Sequence, residues 1–178
     1  RGPAVSRLLR IVCAVLVVVV TLWGTGCAVT EPRSAPHTRP LRISDKLSEG
    51  DATRRASVRL VVEGLDADAA GLSARALSRY ERAIQTDPTN PYAFLALARH
   101  NAEAERPERA LALLDQAEVL LQSEGELAPA AQIQIRGLRS WVMWKQTGAP
   151  ESAVTLDEVA AASPEVWGDG RLSSQELR

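Results

Sequence analysis

The chain has 178 residues, with 21 Lys and Arg against 22 Asp and Glu, and 46% of its residues are hydrophobic, which suits one modest folded domain with appendages. Removing Arg1, Arg7 and Arg10 with the first 26 residues leaves 18 basic against 22 acidic residues, and this balance argues against nucleic acid, whose phosphates call for clustered positive charge. Aromatic residues make up only 4%, alanine and leucine abound, and the β-branched residues gather mainly before Cys27; closely packed helices are expected in place of a sheet.

The first element runs from a basic start at Arg7 and Arg10 through an apolar stretch, Ile11 to Trp23, to Gly24, Thr25, Gly26 and Cys27. At about 1.5 Å per residue the apolar stretch reaches about 20 Å, short of the roughly 30 Å of hydrocarbon that a spanning helix crosses. Its length is that of a signal peptide. The order of residues resembles a bacterial lipoprotein signal, with Gly24 where that pattern more often has leucine. The resemblance implies a signal peptide over 1–26 and diacylation of Cys27, with palmitate among the chains. The domain that follows would then lie beyond the membrane, in the periplasm. Ala28 directly after the cysteine implies transfer to the outer membrane, where an aspartate would signal retention at the inner one. The rival reading is an uncleaved anchor with Cys27 an incidental thiol.

Residues 27–50 carry Pro32, Pro36 and Pro40 among polar side chains. Little there is apolar enough to offset the entropy of ordering, so a flexible tether is expected. The helical domain is placed at 51–163 and a tail at 164–178.

Ala76, Tyr80 and Ala83 return 34 residues later as Ala110, Leu114 and Ala117. A period of this size marks stacked helical hairpins. The stretch GLSARALSRYERAIQTDPTNPYAFLALA strongly resembles the junction of two tetratricopeptide repeats. The resemblance places Leu60, Gly64 and Ala67 on the first helix of one unit, Gly71 at its turn, and Ala76, Tyr80 and Ala83 on its second helix, which ends at Asp87 and Pro88. Phe94, Leu97 and Ala98 begin the next unit, and Pro91 fits the first turn of that helix. Small residues let paired helices approach, while Tyr80, Phe94 and Leu114 fill the grooves between hairpins. Glu63, Asn101 and Gln122 depart from the motif. A third hairpin is expected over IQIRGLRSWVMWKQTG and PESAVTLDEVAAAS after a nine-residue insertion, with Gly148 at its turn. The fold class is therefore all-α, a short right-handed solenoid of two to three hairpins.

No nucleophile elbow, CxxC pair, phosphate-binding glycine loop or HExxH appears, so no enzyme is expected and no cofactor or catalytic residue is assigned. Gly168, Asp169 and Gly170 lack the alternating acidic ligands of a calcium loop. His37 and His100 make no metal cluster. Asp66 and Asp68 lie two apart on a helix, so they face different ways and are expected to be solvated. Trp141 and Trp144 share a helical face and are expected in the core.

In the tetratricopeptide family the inner helices line a concave surface. Projecting its register puts Val58, Val61, Leu65, Tyr92, Leu95, Arg99, Ile135, Leu138 and Val142 in a protein-binding groove. Eight of the nine are apolar or aromatic, which suits an amphipathic helix or an extended peptide, with Arg99 and Lys145 offered to a carboxylate. The rival occupant is the chain itself, through Val166, Trp167 and Leu172 of the tail; dimerisation is a further way to limit exposed apolar surface. The expected function is a membrane-tethered periplasmic adaptor that binds a protein partner in an envelope complex. The alternatives are a binder of a small ligand or cell-wall fragment, and an accessory subunit that extends a larger solenoid.

Overall fold

Glycine and proline punctuate the chain at the places where its helices begin and end. The computed structural model describes residues 38–125 and 128–178. The expected signal peptide, Cys27 and the first part of the tether, up to residue 37, lie outside the described residues. A 3-10 turn, Ile43–Lys46, precedes helix α1, Ala52–Ala69, whose N-cap Asp51 accepts the Arg54 amide at 2.7 Å. Gly71, at φ +73°, reverses the chain into α2, Ser73–Thr86. Helix α3, Pro91–Glu103, starts with proline at its first position, and the Asn90 side chain accepts the Tyr92 amide at 3.1 Å. Proline lacks the amide that the first turn leaves unpaired anyway, so it initiates without cost to the ladder. The same device starts α4, Pro107–Ser123, α5, Pro129–Thr147, and α6, Pro150–Ala162. Gly148 ends α5 in the left-handed conformation at φ +63°. Two single turns, α7 (Pro164–Trp167) and α8 (Ser174–Leu177), complete the chain.

The helices pair as α1 with α2, α3 with α4 and α5 with α6, and successive hairpins stack through α2 on α3 and α4 on α5. This is the expected all-α solenoid of hairpins, and among the described residues it contains no strand. The repeat is visible in the backbone itself. Leu72 N–H donates to Ala67 O, and 34 residues on Arg106 N–H donates to Asn101 O, at 2.8 and 2.9 Å. Glu105 stands where the first unit has Gly71 and takes φ +55°, so the turn geometry is kept even where glycine is absent, at the strain a left-handed non-glycine residue carries.

The repeated positions Ala76, Tyr80, Ala83, Ala110, Leu114 and Ala117 are all fully buried. Gly64 lies against the Tyr80 ring so closely that an added methyl group would overlap it. Gly64→Ala is therefore expected to cost about 1–3 kcal/mol through overpacking; urea denaturation checks this, and an unchanged midpoint would show that the first hairpin yields at no cost. Within the first hairpin Ser57 Oγ donates to Ala83 O, and from the start of the second Asn90 Nδ2 donates to Ser57 Oγ, both at 2.8 Å. At the solenoid edge Arg54 reaches Asp87 and Glu124, each at 2.5 Å.

Two expectations fail at the ends of the domain. The tether was to run to residue 50, yet Leu41 and Ile43 are buried, the 3-10 turn packs on α1, and Thr38 N–H donates to Ala162 O at 3.2 Å. The leucine and isoleucine, few as they are, have an apolar face to cover. Trp144 was expected in the core beside Trp141, but Trp141 is 4% exposed and Trp144 48%. The two share a face of α5, but among the described residues only Trp141 is covered there.

Candidate functional site: the inner face of the hairpin stack

Helices α1, α3 and α5 form the inner layer, with α1 contacting α3 and α3 contacting α5. All nine residues assigned to an open groove, Val58, Val61, Leu65, Tyr92, Leu95, Arg99, Ile135, Leu138 and Val142, are buried in the structure. They lie on the inner helices as projected, but they are not free surface. The reason is the return of the chain. The 3-10 turn packs on α1, α8 packs on α1 and α3, and Val166, Trp167, Leu172 and Leu177 are 2% exposed or less. Of the two occupants left open by the sequence, the tail is the one seated here.

Arg99 is also not held out for a ligand. It donates through Nη2 to Asp68, while Tyr80 Oη donates to the same carboxylate at 2.9 Å and His100 Nδ1 lies 2.9 Å from its other oxygen. The expectation that Asp66 and Asp68 are both solvated holds for Asp66, which is exposed, and fails for Asp68. Asp66 pairs with Arg178 at half-exposure, and the Asp68 side chain is 8% exposed at the centre of a cluster drawn from α1, α2 and α3. The two do face different ways; what the spacing could not supply was the neighbour each meets. Burial pushes the Asp68 carboxyl up, but the His100 hydrogen bond, the Arg99 charge and the Tyr80 hydroxyl outweigh it and hold the carboxyl below the ordinary aspartate range. Burial and the adjacent carboxylate push the Tyr80 hydroxyl far up, so it remains a donor. Three side chains from α2 and α3 meeting on one buried carboxylate of α1 tie the three helices together.

Among the clefts of the described residues, two are lined in part by α3, and the first of them adjoins this cluster. One, of about 450 Å³, is lined by Asp68, Arg99, His100 and Glu103 on one side and Ser174 and Gln175 on the other. The second, of about 270 Å³, is lined by Ala102, Glu105, Pro107, Val142, Lys145 and Gln146. Lys145 Nζ stands 5.3 Å over the Trp141 ring and 3.7 Å from Glu105. Sequence reasoning named Lys145 but missed Asp68, His100, Ala102 and Glu105. Only the position of the last two, one turn beyond the projected groove residues on α3 and at its turn, could have marked them. Among the described residues no group of three His, Cys, Asp or Glu is placed to hold a metal ion.

Three helical hairpins stacked in one direction, with helices of one layer facing inward, define an α-solenoid built from repeats. Residues 69–132 match the family model described as tetratricopeptide repeat, a span from the end of α1 to the start of α5. No curated protein and no solved structure matches the chain. Tetratricopeptide repeats generally mediate protein–protein interaction.

Proposed function

We propose that the protein is a non-catalytic adaptor of the bacterial cell envelope, held by a lipid on Cys27 at the periplasmic face of the outer membrane, where its hairpins bind a protein of an envelope complex. The observation that carries the binding part is the tetratricopeptide match over hairpins whose inner layer keeps two open clefts. The order of basic start, apolar stretch, Gly-Thr-Gly and Cys27 supports the address. A lipid anchor raises the effective concentration of the domain at a surface, so a modest contact suffices for assembly.

The buried groove residues are unsuited to test this, because a charge at Leu95 would unfold the stack. Lys145, whose side chain is 38% exposed in the second cleft, is suited. Lys145→Glu is expected to reduce crosslinked partner recovered from intact envelopes by about tenfold at unchanged helicity, the scale of one charge-assisted contact; undiminished recovery removes this cleft as the site. Cys27→Ser is expected to move the protein from the membrane to the soluble fraction and to abolish palmitate labelling. Retention in the membrane would remove the lipid anchor.

A further inference from the structure

The segment Leu172–Arg178 is seated on the inner layer in a form that defines what the layer takes. Ser173 and Glu176 make a reciprocal capping box: Ser173 Oγ accepts the Glu176 amide at 3.2 Å and Glu176 Oε2 accepts the Ser173 amide at 2.7 Å. Leu172 precedes the cap and Leu177 follows it by four positions, the spacing of a hydrophobic staple, and both side chains are fully buried. Helix α8 has only four residues and could not persist as an isolated helix in water; the face of α1 and α3 holds it in that form. Beyond the two leucines its fastenings are few. Arg178 pairs with Asp66 at half-exposure, and the Arg178 carbonyl accepts the Ser44 amide at 2.7 Å. An exposed run through Asp169 and Gly170, with Gly170 at φ +74°, joins it to α7. The seat is also incompletely filled, because the cleft of about 450 Å³ remains between Ser174, Gln175 and the α3 side chains Arg99, His100 and Glu103.

We infer that this segment is an exchangeable strap, and that the partner carries an amphipathic helix of the same chemistry: a capped first turn, two apolar staple residues five positions apart, and a cation directly after the second to meet Asp66. The inference rests on reading the domain as a protein binder and names the surface and the partner class. A partner helix longer than one turn fills the cleft that the strap leaves vacant. Because the strap is tethered to its seat by a few residues, it competes at high effective concentration and sets a threshold that only a longer or better-charged helix exceeds.

The test uses the full chain and a fluorescent peptide of residues 169–178. The double variant Leu172→Asp with Leu177→Asp frees the seat, and it is expected to bind the peptide at least about tenfold more tightly than the unaltered protein does. A peptide with both leucines replaced by aspartate is expected not to bind. Equal binding by the two proteins overturns the inference. Should the double variant lose its helicity, Arg178→Glu keeps both leucines and sets like charges beside Asp66; it is expected to gain about threefold, and no gain overturns the inference in the same way. If the peptide shows no preference while Lys145→Glu still lowers partner recovery, the strap is wrong and the adaptor reading stands; if the peptide behaves as expected but no partner is recovered from envelopes, the exchangeable strap stands and the partner helix fails with the adaptor reading.

Discussion

Asp68→Ala is expected to destabilise the domain by about 3–5 kcal/mol, the usual cost of removing one member of a buried charge pair. The Asp68 carboxylate sits between Arg99, His100 and Tyr80, and the Arg99 and Asp68 side chains are 5% and 8% exposed. Without it the guanidinium stays buried with no counter-charge, and its Nε–H already has no partner. Three elements lose their junction at once. The pH dependence follows from the direction of the shift. The folded carboxyl titrates below its unfolded value of 3.8, so the unfolded chain binds the proton first on acidification. The stabilisation is therefore complete above the unfolded value and disappears as the pH falls through the lowered folded one. Guanidinium denaturation between pH 7 and pH 3 should show the unaltered protein losing stability toward acid and Asp68→Ala losing less. Parallel pH profiles, or a loss under 1 kcal/mol at pH 7, would show that the cluster contributes no more than an exposed ion pair.

Trp167→Ala is expected to cost about 3–5 kcal/mol. Trp167 is fully buried, lies against Gly137 of α5 where an added methyl group would overlap its ring, and donates Nε1–H to Gln134 Oε1 at 2.9 Å. Removing it leaves a void beside a glycine that cannot fill it and strands the Gln134 acceptor, which is 1% exposed. Trp167→Phe keeps one aromatic ring, loses the hydrogen bond and leaves a smaller void, and is expected to cost less, about 1–3 kcal/mol. Thermal unfolding and hydrogen exchange of α5 check both. If Trp167→Ala leaves the exchange of α5 unaltered, the tail merely rests on the third hairpin and does not complete it.

The insertion before the third hairpin and its two helices were legible over 133–148 and 150–163, with Gly148 at the turn, whereas the first of them begins four residues earlier, at Pro129. That its packing is completed by Trp167, 33 residues after Gln134, was legible only as a possibility of the tail. The tail had one signal, apolar side chains at Val166, Trp167 and Leu172 in a polar stretch, and that signal sufficed to name it as an occupant. Leu172 and Leu177 with their cap were not recognised as a staple. Asp68 had no signal at all: its partners are 31 and 32 residues away, one repeat less two or three positions, and on its own helix it looks like any exposed acid.

What the sequence determined by itself is the six long helices of the hairpins, their pairing and their period, because helix boundaries follow from glycine, proline and capping residues within a few positions, and a period of 34 admits few packings of small against large side chains. What only the tertiary structure decided is which surface is free. The inner layer is apolar in either case, and its cover is a matter of where the chain goes after the last hairpin and before the first. That path is set by long-range burial of Ile43, Trp167, Leu172 and Leu177, for which residues near them in sequence provide no periodic signal. All nine residues projected onto an open groove are buried in the structure for that reason.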